Sequence, residues 1–169
     1  MSSIDQLKSS VTTGFARSNR YRVLFHTDSE TLDVLCDSVG WPGRQIFTQD
    51  RTTNMKVHKV AYAFGHEDVP ISFILTNDFR VWDFINEWHK TIIGNVDRLN
   101  SYRVNFKSEY ARDIEIHHLN SLGYINKRIK LMNAFPTTLS SVELGNGNEN
   151  EIIRVSTEFS YDNWKSLDY

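Results

Sequence analysis

The stretch Ile153-Arg-Val-Ser-Thr-Glu-Phe-Ser-Tyr161 carries the longest alternation of large and polar side chains in the chain. Its odd-numbered positions are apolar or aromatic apart from Thr157, whereas its even-numbered positions are charged or carry hydroxyl groups. Because successive side chains of a strand point to opposite faces, this pattern is typical of a β-strand with one face on a core. The segment therefore predicts a β-rich protein.

Shorter alternating runs repeat this signal through most of the sequence. The run at 21–25 is followed by a polar turn and the run at 32–36, which predicts a β-hairpin. The run at 55–64 is followed by the turn Gly65-His-Glu-Asp68 and the run at 69–75, which predicts a second hairpin. Further strands are predicted at 102–106, 112–119, 124–132 and 151–161.

One segment, at about 78–93, changes to the helical period. Its apolar residues recur at helical spacing and define one face: Val81, Phe84, Ile85, Trp88 and Ile92. Asn77 or Asp78 is expected to cap the first turn, and Gly94 to end the helix in a left-handed conformation. The aromatic residues at 82, 84 and 88 are interpreted as core packing and not as a platform for nucleic-acid bases.

Length and charge limit the function further. The 169 residues fit one domain, and a net charge of -2 argues against a protein that grips nucleic acid, which needs a concentrated positive field. We find neither a signal peptide nor an apolar stretch long enough to cross a membrane, so we expect a cytosolic product without membrane insertion. The one cysteine, Cys36, is expected to pack as a small apolar residue.

No catalytic, cofactor or metal site is predicted. His117 and His118 are adjacent on a predicted strand, so their side chains leave opposite faces and cannot share a metal ion. The cluster at 66–68 occupies a predicted turn, where polar residues are expected anyway. The densest basic group is expected to divide between the two faces of a solvated strand: Lys127, Arg128 and Lys130.

Two segments interrupt the alternation. The stretch at 145–150 consists of small polar residues and is interpreted as a surface loop. The stretch at 41–53 is long for a connection, and it carries Trp41, Ile46 and Phe47, which are costly to leave in water. We expect a partner to cover it; the alternative is that this loop folds back on its own domain.

Several segments, in their order and spacing, resemble the tail-tube proteins of T-even-like contractile phages, over about residues 14–164. They are Gly14-Phe-Ala-Arg17, Asp37-Ser-Val-Gly-Trp-Pro-Gly43, the run from Val69 through Phe79 to Trp88, Ser108 to Ile116, and Val155 to Trp164. The resemblance implies a mainly β fold with one α-helix, in which two packed antiparallel sheets form a barrel-like sandwich flanked by the helix at about 78–93.

The resemblance also implies how the chain is organised. It predicts a single tail-tube domain at 1–169, with an N-terminal arm at about 1–18 and an inter-ring loop at about 41–53. The residues expected to contact the neighbouring ring are Trp41, Pro42, Gly43, Ile46 and Phe47.

The function implied is structural and not enzymatic. The resemblance implies hexameric rings that stack into the inner tail tube of the virion, assembled in the cytoplasm of the host bacterium. DNA is expected to pass through the lumen during ejection without specific binding, and the expected partners are further copies of the chain, the tail sheath protein, the tape-measure protein and baseplate tube-initiator proteins. Alternatives are a baseplate tube-initiator or a secretion-system tube protein similar to Hcp and, from another class, a β-barrel that binds a small ligand.

Overall fold

The computed structural model describes residues 15–25, 35–94, 103–142, 144–145 and 152–167. These residues form nine strands and two helices. In chain order the strands of the first half are β1 (Tyr21–Phe25), β2 (Cys36–Val39), β3 (Gln45–Thr53), β4 (Lys56–Gly65) and β5 (Val69–Ile74). They are followed by helix α1 (Arg80–Ile93), the short helix α2 (Lys107–Tyr110), β6 (Arg112–Leu119), β7 (Ile125–Leu139), β8 (Arg154–Ser160) and β9 (Asn163–Ser166).

Seven of the strands form one antiparallel array that folds into two layers. Their order is β1-β6-β7-β8-β5-β2, and β9 also pairs with β7. The first half of β7 joins β6 and β9, whereas its second half joins β8. We call the layer of β1, β6, β9 and the first half of β7 the first sheet, and the layer of β2, β5, β8 and the second half of β7 the second sheet. Strands β1 and β2 end the array without pairing with each other, so the described strands form a sandwich and not a closed barrel.

Strand β7 passes between the layers at Asn133, which has a φ of 54°. The register with β6 shifts here, because Arg112 lies opposite Ala134 while Ile114 lies opposite Leu131. The extra residue makes a β-bulge, a feature that bends a strand. The backbone N–H of Asn133 donates to Asp113 Oδ1 at 3.1 Å, and its side-chain amide donates to Asp162 Oδ2 at 2.9 Å.

The core lies between the sheets and under α1. The inward-facing residues of the strands are buried, and Phe25 connects the layers with its ring centroid 5.8 Å from those of Phe73 and Phe159. From the helix, Trp88 lies 5.8 Å from Phe159 between ring centroids and donates its indole N–H to the carbonyl of Tyr110 at 2.7 Å. The interpretation of the helix aromatics as packing residues is confirmed.

Helix α1 confirms the predicted period but not the predicted cap. Val81, Ile85 and Trp88 are its buried residues. The residue before the helix is Phe79 in a left-handed conformation, and no side chain caps the first turn. Asp78 instead accepts a hydrogen bond from the Thr76 hydroxyl, which lowers the pKa of its carboxyl group.

The end of α1 at Gly94 is confirmed, but the predicted left-handed conformation is wrong, since the ψ of Gly94 is -177°. Its φ is 72°, and a Cβ atom at this position would lie 2.8 Å from the carbonyl oxygen of Arg103. Glycine is therefore required both by the backbone angle and by the close approach.

The second predicted hairpin is wrong in its pairing, whereas the turn and most of the second strand of the first predicted hairpin, at 26–34, lie outside the described residues. The strand at 21–25 pairs with β6, and Cys36, at the end of the second predicted strand, belongs to β2, which pairs with β5. The strand at 56–65 pairs with β3, while β5 lies between β2 and β8. Alternation reports which face of a strand is apolar, but it carries no information on which strand lies alongside.

The other predicted elements divide into three groups. The strands at 112–119 and 124–132 are confirmed, with β7 extending to Leu139, and the strand at 151–161 is confirmed over Arg154–Ser160. The strand predicted at 102–106 is wrong in its described part, since 103–106 is irregular and leads into α2. The predicted N-terminal arm at 1–18 and the loop at 145–150 lie outside the described residues except at 15–18 and 145.

Cys36 is half-buried against the core, as expected for a small apolar residue.

Asn133 provides a test of the bend in β7. Asn133→Val is expected to lower the free energy of unfolding by about 2–3 kcal/mol, because a β-branched side chain strains a positive φ and the bond to Asp162 is lost. Asn133→Gly tolerates the angle and loses only the side-chain bond, so a smaller decrease of about 1 kcal/mol is expected. Urea unfolding of the two variants measures the difference, and equal stability of Asn133→Val and the parent protein would contradict this role.

Candidate functional site

The chain segment that connects β2 to β5 forms a β-hairpin that projects from the sandwich. Its strands β3 and β4 pair through nine residue positions with each other and with no other strand of the described chain. Every side chain from Gln45 to Phe64 is exposed. At about 3.3 Å per residue, nine paired positions extend roughly 30 Å. We call Gln45 to Gly65 the arm.

The sequence explains why this segment forms a hairpin. Asn54 and Met55 are the two turn residues, with φ values of 51° and 63°. Two consecutive positive φ angles characterise the tight turn whose twist matches two antiparallel strands, and asparagine tolerates this region. The register shifts between Phe47 and Thr48, where β4 contains one extra residue. Such a bulge increases the local twist of the arm.

The root of the arm is attached to the body by aromatic and cation–π contacts. The guanidinium carbon of Arg44 lies 4.9 Å from the ring centroid of Trp164 in β9 and 5.8 Å from that of Phe64 in the arm. His66, just after the arm, lies 5.4 Å from the ring centroid of Tyr161. The charged side chain of Arg44 thus lies between the ring of Phe64 in the arm and the ring of Trp164 in the first sheet, and it links the two.

Glycine at position 65 allows this root to close. A Cβ atom on Gly65 would lie 2.9 Å from the ring of Phe47, which is closer than a side chain can approach without a shift. Phe47 also lies 6.4 Å from Tyr62 between ring centroids. The packing of its ring within the arm explains why Phe47 is 39% exposed when Ile46 beside it is 62% exposed.

Three buried polar atoms at the root, like His89 Nε2 and Thr157 Oγ1 in the body, have no hydrogen-bond partner among the described residues. The three are His66 Nε2, the Tyr161 hydroxyl and Trp164 Nε1. Burial, together with the carboxylates of Asp68 and Glu67, raises the pKa of Tyr161, so its phenol stays protonated at neutral pH.

The arm exposes more apolar surface than a two-stranded hairpin can support alone in water. Met55 at its tip is 100% exposed. Its other large exposed apolar residues are Ile46, Phe47, Val57, Val60, Tyr62 and Phe64. Its charged residues are Asp50, Arg51, Lys56 and Lys59, so the arm is positively charged while the whole chain is not. This combination of apolar and cationic side chains is typical of a binding segment.

The five predicted contact residues lie at the root and on the first strand of the arm. Trp41 is 48% exposed, and Ile46 and Phe47 lie on β3. Gly43 is exposed, whereas Pro42 is buried within its own subunit. The prediction that 41–53 is an irregular loop is wrong, since it is a strand from 45 onward.

Sequence reasoning missed the second strand of the arm. Met55 to Phe64 was predicted to pair with the body, which concealed the exposed residues Val57, Tyr62 and Phe64. The signal that identifies the arm is Asn54, a residue that tolerates positive φ, between two alternating runs.

The two adjacent histidines, His117 and His118, make structural contacts. His117 is buried, with its Nε2 at 3.0 Å from Glu115 Oε2 on the same face of β6. His118 lies on the opposite face and its Nε2 is 3.2 Å from the carbonyl oxygen of Arg17. Among the described residues, no group of three or more His, Cys, Asp and Glu side chains is placed to hold a metal ion. No helix in this part of the chain is long and apolar enough to cross a membrane.

Two solved structures with a similar fold come from tube assemblies, and a third is Hcp1. A chain of the anti-feeding prophage cap, the AFP tube terminating cap, is 19% identical, with a TM-score of 0.66 and 92% of each chain covered. A chain of the PVC sheath-tube complex of an extracellular contractile injection system is 17% identical, with a TM-score of 0.61 and both chains fully covered. Hcp1 from Flavobacterium johnsoniae is 8% identical, with a TM-score of 0.50 over 88% of this chain and 94% of Hcp1. At these identities the likeness shows a shared fold.

Family membership rests on the sequence itself. No curated protein sequence matches the chain significantly. The sequence pattern of the family described as phage tail tube protein, however, matches residues 7–167, almost the whole chain. The resemblance in the order and spacing of its segments is thereby confirmed. The chain belongs to the phage tail tube protein family, whose members are structural subunits and not enzymes.

Proposed function

We propose that this protein forms hexameric rings that stack into the inner tail tube of a contractile, T-even-like phage tail. The observation that carries the proposal is the exposed arm, with its apolar side chains and its nine-position ladder. An arm that leaves its own subunit needs a surface on another molecule to cover it. In a tube, that surface belongs to the next copy of the chain.

The energetics of the arm favour a contact between copies. Burying a large apolar side chain contributes about 1.5–3 kcal/mol, and Ile46, Tyr62 and Phe64 are each more than 60% exposed in the subunit. The contact is head-to-tail, because the arm of one copy meets a different surface of the next. Head-to-tail contacts close into rings or continue as filaments, depending on the rotation between copies. We propose that Trp41, Gly43, Ile46 and Phe47 face the neighbouring ring, with Pro42 supporting them from inside the subunit.

The other proposed partners follow from the same assembly. The tail sheath protein surrounds the tube, the tape-measure protein lies inside it, and baseplate tube-initiator proteins begin it. Chains of similar fold in a sheath-tube complex and in a baseplate support the sheath and baseplate partners. DNA passes through the lumen without specific binding, in keeping with the net charge of -2. The place of action is the virion, and assembly takes place in the host cytoplasm.

A baseplate tube-initiator or a secretion tube would have the same fold as a tail tube, so these alternatives are distinguished from it by how the protein assembles. A small-ligand β-barrel finds no support in the described core. Val23, Ile116 and Phe159, from both sheets, have no exposed surface, so side chains fill the space that a ligand would need.

Assembly at rising concentration tests the proposal directly. Purified protein is expected to pass from subunits to rings and then to long tubes, because the contact between copies is concentration-dependent. Sedimentation velocity and negative-stain electron microscopy measure the two steps. Single rings that never elongate would favour the tube-initiator alternative, and a monomer at every concentration would contradict the proposal.

Removing apolar anchors from the root and first strand tests the arm. The double variant Trp41→Ser with Phe47→Ser is expected to fold but to form no tubes at concentrations where the parent protein does, because the inter-ring surface loses two aromatic side chains. Circular dichroism checks folding and electron microscopy counts tubes. The matched control, Thr48→Ser with Thr53→Ser, changes the same strand without removing an aromatic ring and should leave tubes intact. Undiminished tube formation by the double serine variant would remove this role.

Arg44 tests how the root holds the arm. Arg44→Ala removes the cation between Trp164 and Phe64, a contact that contributes about 0.5–1 kcal/mol, so faster hydrogen exchange of the arm amides is expected in the unassembled subunit. Arg44→Lys keeps a cation and should restore part of the protection. Arg51→Ala, which removes an arm cation beyond the root, serves as the control with unchanged exchange. Parent-like exchange in Arg44→Ala would show that other contacts hold the arm.

A further inference from the structure

The outer face of the second sheet carries a row of serines. Ser38 in β2 lies opposite Ser72 in β5, and Ser72 lies opposite Ser156 in β8. Ser140, just after β7, continues the row, since its backbone N–H donates to the carbonyl of Ser156 at 2.9 Å. Residues directly opposite each other share a face of the sheet, so four hydroxyl side chains cross four neighbouring chain segments in one line.

The hydroxyl groups of this row are partly satisfied by the row itself. Ser72 Oγ and Ser156 Oγ lie 2.9 Å apart. The backbone N–H of Ser156 donates to Ser140 Oγ at 2.8 Å. Short side chains that bond one another offer few free groups to a passing molecule. The row is therefore a poor surface for holding a ligand.

The charges beside the serine row are few. In the described strands of this sheet, Arg154 is the one cation on the outer face, and its Nε lies 2.9 Å from Asp37 Oδ2. Glu158 lies in the neighbouring row, opposite Pro70, and its carboxylate accepts a hydrogen bond from the Thr138 hydroxyl at 3.3 Å. The face is thus neutral to slightly acidic and exposes no long unpaired basic side chain.

The outer face of the first sheet is different in kind. Arg22 lies opposite His117, which lies opposite Arg128, and in the next row Lys130 lies between Glu115 and Lys165. Lys130 also contacts Asp113 at 2.8 Å. The long basic side chains of this face outnumber its carboxylates, Asp113 and Glu115, although the chain as a whole has a net charge of -2. The two outer faces of the sandwich are therefore chemically distinct.

We infer that the second sheet turns its serine row towards the channel of the tube and that the first sheet turns its basic face outward, towards an acidic partner surface. This inference rests on the proposed stacking of rings. Cargo that moves along a channel must make no lasting contact with the wall. Lysine and arginine side chains bind phosphate and carboxylate groups, whereas short hydroxyl groups that bond one another do not retain them. Short side chains also leave the channel at its widest.

Thiol labelling of assembled tubes tests this orientation. In a Cys36→Ser background, which removes the one native cysteine, Ser156→Cys places a thiol in the serine row and Lys165→Cys places one on the basic face. The probe is a maleimide coupled to a folded carrier protein too large to enter a channel. Both variants should react as subunits. In tubes, Ser156→Cys should lose its reaction with the carrier but still react with a small maleimide, while Lys165→Cys should still react with both.

The outcomes separate the two proposals. Tubes in which the thiol at position 156 reacts with the carrier, and the thiol at position 165 does not, would overturn the orientation alone. Absence of tubes from the Cys36→Ser parent and from the natural sequence would overturn the proposed function and the orientation with it. If Ser156→Cys itself prevents assembly, Ser72→Cys in the same row replaces it, with the same expected protection and the same contrary result.

Discussion

Strand β7 takes part in both sheets, and the rest of the architecture depends on how it bends. Its first half completes the first sheet with β6 and β9, and its second half begins the second sheet with β8. The bend needs a residue that accepts a positive φ, and Asn133 meets this need while its amide groups bond Asp113 and Asp162 on either side. Because the two sheets are continuous through this strand, Phe25 of the first sheet packs against Phe73 and Phe159 of the second. Helix α1 adds Trp88, which packs against Phe159.

The same chain separates its apolar residues into two populations with different tasks. Those of the sandwich are buried within the subunit, where they stabilise the fold. Those of the arm remain in water, on strands whose hydrogen bonds are satisfied only between themselves. Backbone pairing makes the arm a defined shape before it meets a partner, which reduces the entropy lost on assembly. A rigid body with a preformed, apolar and cationic arm is the arrangement expected of a subunit that assembles by reaching into another copy. The chemical difference between the outer faces of its two sheets fits a tube wall that has one surface towards the channel and one towards the outside.

Prediction from sequence succeeded where the signal is local. The faces of β5, β6 and β8 and the apolar stripe of α1 follow from side-chain direction, which repeats every two residues in a strand and every 3.6 in a helix. It failed for the hairpin predicted from 55–64 and 69–75, because a short polar turn between alternating runs is compatible with pairing across that turn and with pairing elsewhere. Asp78 was predicted to cap α1, but the left-handed Phe79 intervenes and the carboxylate bonds Thr76 instead. At the candidate site, Trp41, Ile46 and Phe47 were recognised as costly to expose, while Val57, Tyr62 and Phe64 were assigned to the body.

The amino-acid sequence by itself determined the mainly β character, the helix with its buried face, the absence of a recognisable catalytic motif and the family to which the chain belongs. Only the tertiary structure decided that β1 pairs with β6, that β7 bends at Asn133, and that Gln45 to Gly65 leaves the body as an arm. The physical reason is the range of the forces concerned. Side-chain periodicity and backbone angle preferences act over a few residues, whereas strand pairing is chosen by the burial and hydrogen bonding of the whole chain, with partners separated by up to about a hundred positions.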